Sequence, residues 1–225
     1  MGDERRQDFL DAIVQRTREY VAEHGPLHVV RHTVQITSFG GTGSTVLSDH
    51  LRGAGVDLPR TPGEVPFKHQ RVPPSPSEVP DGFRVLYPYG DPRDAMLSIF
   101  RRGWIVEHYQ ALRGQVPPPE VERRLSSLEA FVDGGVDDFA LADHVNRWLD
   151  HEPGYPVLFF RYESLETAWP TIREFVGLPA DVPCLAVRAR KSAWRLLPEP
   201  IRAGIDRIYG TLAATLEARP VQEIR

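Results

Sequence analysis

Little in this 225-residue chain points to cross-linking, membrane insertion or a broad surface for polyanions. Cys184 is the single cysteine, which excludes an intrachain disulfide and is compatible with a reducing compartment. No stretch approaches the roughly 20 apolar residues that span a bilayer. The start, Met1-Gly2-Asp3-Glu4-Arg5-Arg6, is charged and leads into an amphipathic pattern rather than a signal-peptide run. A cytoplasmic protein is therefore expected. Net charge is −4 with a pI near 6.1, which argues against a nucleic-acid surface and leaves anion recognition to local basic groups. One cysteine and scattered histidines offer no metal-ligand cluster, so no metal is expected. No internal repeat is visible.

What the chain does have is enough apolar content, 41% against 26% charged, to bury a core of domain size. Apolar residues recur at helical spacing from Phe9 to Val21, predicting an N-terminal packing helix within residues 1–28. Residues 29–39 read as a first strand and 43–54 as a helix. A proline-rich excursion covers 55–82. Arg84–Tyr89 reads as a second strand, followed by a helix from Asp91-Pro92 through about residue 112. Residues 114–137 look irregular and 139–150 helical. Tyr155–Tyr162 is the most apolar strand and is expected at the centre of a parallel sheet. Helices are expected from about Pro170 to Gly177 and over 199–217. Strands alternating with helices predict one α/β domain over 1–225, a three-layer sandwich around a mainly parallel sheet.

The densest signal is Phe39-Gly40-Gly41-Thr42-Gly43-Ser44-Thr45, between the first strand and its helix. Glycines free the backbone to wrap an anion, and the helix start adds amides, hydroxyls and a positive dipole end. Three common glycine signatures fail here. The dinucleotide pattern would need a glycine where Val46 stands, and the triphosphate loop would need a lysine before Ser44 or Thr45. The hydrolase elbow is also absent. The turn by itself could equally be a tight strand-to-helix connection.

With four further segments, in order, the turn resembles the sulfotransferase family over roughly residues 33–195. Phe67-Lys68-His69, before a proline-rich loop, is similar to the segment presenting the family's catalytic histidine. Asp91-Pro92-Arg93-Asp94-Ala95-Met96-Leu97-Ser98 resembles its motif for a cofactor 3′-phosphate. Phe160-Arg161-Tyr162-Glu163-Ser164-Leu165 resembles the strand end carrying an adenine-side tyrosine. Arg190-Lys191-Ser192 resembles the basic segment that closes on the 3′-phosphate. The resemblance implies a fold with a phosphosulfate-binding loop and the donor 3′-phosphoadenosine 5′-phosphosulfate (PAPS), with 3′-phosphoadenosine 5′-phosphate (PAP) as product. It assigns donor contacts to Gly40, Gly41, Thr42, Gly43, Ser44, Thr45, Arg93, Ser98, Tyr162, Arg190 and Lys191. His69 becomes the general base, assisted by Lys68. Arg93 beside Asp91 and Asp94 could instead be a helix-start ion pair, and Tyr162 could be core packing.

Three departures from the family pattern stand out. Gly41 occupies the place of a loop lysine, Val46 that of an aromatic residue, and Gly90 that of an arginine. The charge missing at Gly41 would have to come from Lys68 or another basic residue. The acceptor is expected to be a small-molecule hydroxyl, met by residues 60–82 and a cap over 103–150, with Trp104, His108 and Tyr109 as candidate lining. The alternatives are a non-catalytic binder of 3′-phosphoadenosine nucleotides and a P-loop kinase of a small molecule.

Overall fold

The computed structural model describes residues 32–59, 69–150, 152, 154–186 and 193–225. Four strands form one sheet in the order β1 (Val34–Ile36), β2 (Arg84–Tyr89), β3 (Val157–Arg161), β4 (Gln222–Ile224). The first three are parallel, with Gln35 opposite Val85 and Val85 opposite Val157. Strand β4 returns antiparallel, with Phe159 opposite Glu223. The helices among the described residues are α1 (Ser44–Gly53), α2 (Pro92–Arg102), α3 (Ile105–Arg113), α4 (Pro119–Arg124), α5 (Leu128–Gly134), α6 (Leu141–Asp150), α7 (Leu165–Val176) and α8 (Glu199–Glu217).

Alternation along the strands divides the core into two layers, because successive strand side chains point to opposite faces. Val85, Tyr87, Tyr89, Val157 and Phe159 pack with residues from α2 to α6 and from α8. Val34, Ile36, Leu86, Leu158 and Phe160 face the other way, onto Leu47 and Leu51 of α1 and Leu165, Trp169 and Ile172 of α7. The three-layer α/β sandwich expected from the sequence is thus present. Strand β3 lies between β2 and β4, as its apolar composition indicated.

Pro88 in an inner strand has a local explanation. Leu86 turns its carbonyl toward β1, where the Thr37 amide donates to it at 3.0 Å, and Pro88 faces the same side two residues later. By then β1 has ended in the glycine turn, so the missing N–H breaks no ladder bond.

The element boundaries differ from expectation in four places. The helix expected through residue 112 stops at Gly103, left-handed at φ 71°, and α3 starts afresh at Ile105. Residues 114–137 contain α4 and α5, which bury Val121, Phe131 and Val132 against the core. Helix α7 begins five residues before Pro170, continuing a 3-10 turn over Tyr162–Ser164, and carries the proline inside. Strand β4 was not expected, because it is three residues long at the sheet edge, with Gln222 and Glu223 half-buried and Ile224 exposed. The N-terminal helix expected within 1–28 and residues 29–31 of the first strand lie outside the described residues.

Candidate active site

The three parallel strands end on one edge of the sheet, at Ile36, Tyr89 and Arg161, and open α/β sheets bind ligands at that edge. The glycine turn crosses it. Gly43 caps α1 in the left-handed conformation (φ 73°) with no side-chain hydrogen bond, and the first turn of α1 carries no acid. The first amides of α1 therefore meet the loop without a carboxylate of their own helix competing for them.

Gly40, Gly41 and Gly43 all have positive φ, and each is pressed by a different element. A Cβ on Gly40 would lie 2.5 Å from Nε2 of His108, and one on Gly41 would lie 2.7 Å from the Cα of Ala95 in α2. At Gly43 it would enter the ring of Tyr162, 2.1 Å from Cε2. Thr42 between them is fully buried, and among the described residues its Oγ1 has no hydrogen-bond partner. A buried hydroxyl costs stability unless something meets it, and phosphate or sulfate oxygens beside a helix start supply that partner. The loop thus suits a phosphate or sulfate group.

His69 sits beside this loop. Its Nδ1 lies 2.8 Å from the carbonyl oxygen of Ser38. A carbonyl only accepts, so Nδ1 carries the hydrogen and Nε2 is the basic nitrogen. The ring of His108, on α3, packs against it with centroids 4.9 Å apart.

The residue after His69 is one the sequence did not flag. Gln70 donates its amide to Thr37 Oγ1 (3.1 Å), accepts at its carbonyl from Trp148 Nε1 (2.9 Å) and accepts at Oε1 from Gln35 Nε2 (2.7 Å). Gln35 is fully buried in β1. A glutamine inside the apolar run Val34-Gln35-Ile36 was the available signal, since buried amides are kept for a partner.

Arg93 stands at the start of α2 in a box of acidic and aromatic groups. Its Nε and Nη2 contact Asp91 at 2.8 and 3.0 Å, and Nη1 contacts Asp206 of α8 at 2.6 Å. The guanidinium lies over the Trp194 ring, 4.2 Å from its centroid. Burial works against its charge, but the hydrogen bonds Arg93 donates to Asp91 and Asp206 outweigh it and raise its pKa. Asp91 also caps α2 by accepting from the Arg93 amide. An adjoining cavity of about 230 Å³ is lined by Tyr89, Gly90, Arg93, Arg161, Glu163 and Arg195.

Ser98 is buried within α2, and Tyr162 packs against Gly43 while joining the α1–α7 core. Ser44 is buried at the helix start, whereas Thr45 and Val46 are exposed. Of the three candidate acceptor residues, Tyr109 is core, Trp104 is exposed and His108 is buried against the loop. Lys68, Arg190 and Lys191 lie outside the described residues.

A sheet whose parallel strands carry a glycine loop, a helix start and an oriented imidazole at their carboxyl edge has the layout of an anion-binding α/β protein. Residues 7–182 match the family model described as Sulfotransferase domain, and the chain belongs to that family. Its members move sulfuryl groups, with PAPS as donor. An amine sulfotransferase from Oryctolagus cuniculus is 27% identical over 84 residues, 37% of this chain and 25% of that protein. The chain thus matches about a quarter of the length of that curated relative. The crystal structure of mouse sulfotransferase SULT7A1 complexed with PAP superposes with a TM-score of 0.39 at 19% identity. That match covers 70% of this chain and 64% of the mouse one. Among the described residues no helix is long and apolar enough to cross a membrane, and no group of acids, histidines and cysteines could hold a metal.

Proposed function

We propose that this chain transfers the sulfuryl group of PAPS to a hydroxyl of a small-molecule acceptor, with His69 as general base. The observation that carries the reading is the His69 tautomer. The Ser38 carbonyl accepts a hydrogen bond from Nδ1–H, which leaves Nε2 as the proton acceptor, beside the glycine loop. PAPS, when bound, supplies a sulfuryl group on a good phosphate leaving group.

Each part of the site has a task in an in-line displacement. The amides of Gly43 to Thr45 and the Thr42 hydroxyl bind the 5′-phosphosulfate oxygens and hold the sulfur in place. Nε2 of His69 removes the acceptor hydroxyl proton as the oxygen attacks. Ser98, Arg93 and the basic segment Arg190-Lys191 serve the 3′-phosphate, and Tyr162 supports the loop on the nucleoside side. Lys68 adds positive charge next to the base. Arg93 already gives three of its five N–H donors to two carboxylates, so two remain for a phosphate and releasing Asp206 would free a third. The acceptor side is built by the 103–150 cap. There a cavity of about 410 Å³ is lined by residues including Ile105 and Val106 of α3, Glu122 of α4 and Leu125 just after it. The site of action is the cytoplasm, on this reading.

Calorimetric titration with PAP, against ATP and AMP as controls, tests the donor. Selective binding of PAP that weakens in Ser98→Ala supports it, and equal binding of ATP favours the kinase alternative. Sulfuryl transfer across a panel of alcohols and phenols then tests the chemistry. His69→Ala should reduce turnover at least a hundredfold. Tight PAP binding without turnover on any acceptor would leave the protein a binder of 3′-phosphoadenosine nucleotides.

A further inference from the structure

A polyanion seated in the glycine loop needs positive charge close by, and the loop itself has none. It offers amides and hydroxyls only, from Gly40 through Thr45. The position where a cation would enter is closed. Gly41 has φ 67°, and even a Cβ there would stand 2.7 Å from the Cα and 2.8 Å from the carbonyl oxygen of Ala95. A lysine at 41 would require α2 to move. Compensating charge must therefore come from across the loop.

We infer that His108 supplies it, as an imidazolium that forms when donor nucleotide binds, so that the site works with two imidazoles of opposite role. His108 is a buried side chain on α3. Its Nδ1 lies 3.1 Å from the Trp104 carbonyl one turn earlier, so Nδ1 holds a hydrogen and Nε2 is the protonatable atom. That Nε2 edge fills the space a side chain on Gly40 would take, at 2.5 Å from Nε2 and 2.8 Å from Cδ2. The missing Cβ of Gly40 is what admits the ring to the loop.

Among the described residues, the groups facing His108 include the backbone at Gly40, the Trp104 carbonyl and the His69 ring. Two rings with centroids 4.9 Å apart resist being charged together. Charge on His108, stabilised by bound phosphate, therefore favours a neutral His69, the state a general base needs. The proton comes from a solvent or buffer acid and forms an N–H bond at Nε2, and no other covalent bond changes. This assignment rests on the donor reading above.

The test is PAP binding to the full chain at pH 7.5, in two buffers of different ionisation enthalpy, for the protein and for H108Q and H69Q. The expected result is net proton uptake on binding, largely lost in H108Q and retained in H69Q. H108Q should also bind PAP roughly tenfold more weakly, the scale of one charge-assisted hydrogen bond. Selective PAP binding with no proton uptake by the unsubstituted protein overturns the inference and leaves the donor reading standing. So does undiminished uptake in H108Q. No PAP binding by the unsubstituted protein removes both. Should H108Q fail to fold, nitrogen-15 histidine spectra of the unsubstituted protein decide. One ring must pass from a neutral tautomer to imidazolium as PAP saturates the site, and its signal must show contact with the Trp104 segment.

Discussion

Nη1 of Arg93, which lines the cavity beside Gly90, lies 2.6 Å from Oδ1 of Asp206 and ties the start of α2 to α8. The pair is unequal, with the Arg93 side chain 12% exposed and that of Asp206 51% exposed. Removing each partner therefore has a different consequence. Asp206→Ala should cost about 0.5 kcal/mol or less, since a half-exposed carboxylate contributes little. If Arg93 serves the 3′-phosphate, the same change frees it and tightens PAP binding. Unchanged or weaker PAP affinity in Asp206→Ala would count against that role.

Arg93→Ala removes more than a charge. It strips Asp91, which also caps α2 and accepts from Trp194 Nε1 at 3.1 Å, of its bidentate partner. A stability loss of roughly 1–3 kcal/mol is expected by chemical denaturation, between the surface and buried limits for ion pairs. Arg93→Lys should recover little of it, because an ammonium cannot span Asp91 and Asp206 while lying over Trp194.

The loop glycines should tolerate no side chain. Gly43→Ala combines an unfavourable left-handed residue, about 1–2 kcal/mol, with a Cβ inside the Tyr162 ring. Loss of PAP binding is predicted, with at most partial recovery when Tyr162→Ala is added. Gly41→Lys, which restores the family residue, is predicted to bind PAP worse rather than better. A gain in affinity would show that α2 yields at Ala95.

Gln70→Ala leaves the Gln35 amide buried without its partner and should cost about 1–3 kcal/mol. Because Gln70 adjoins His69, turnover should fall more than the PAP dissociation constant rises. Equal changes in both would mean that the Gln70 contacts hold the fold and leave the base where it is.

Acid should unfold this protein by way of His144. Burial holds its pKa down at about 3, against an ordinary value near 6.5, and Nδ1 lies 2.8 Å from the Tyr87 hydroxyl. The native state refuses a proton that the unfolded chain accepts. Stability from this group is therefore complete above about pH 6.5 and is lost as pH falls toward about 3. Between pH 7.5 and 5 the loss is about 2 kcal/mol. Denaturation curves at these two pH values should show this difference for the protein and a much smaller one for His144→Gln.

The sequence alone determined the layer architecture, because near-continuous apolar strands alternating with amphipathic helices have few ways to bury both sheet faces. Arg84–Tyr89 and Glu199–Glu217 match the expected elements to the residue or nearly so, since turn and proline signals bracket both. The glycine loop was legible for the same reason, as three close glycines before Ser44-Thr45 serve few purposes other than a tight backbone turn. The breaks at Gly103 and before Pro170 were not, because a helix boundary depends on what packs against the next turn.

The surroundings of each candidate residue were decided only by the tertiary structure. Gly41 is closed because α2 crosses it at Ala95, and His69 gains its tautomer from a carbonyl 31 residues earlier. Arg93 meets Asp206 from 113 residues away, and His108 reaches the loop because Gly40 leaves room for its ring. Local propensity sets elements, whereas distances of a few ångströms between remote side chains are fixed by how the layers pack. At this site that packing sets which imidazole nitrogen is basic and which loop position is closed to a side chain.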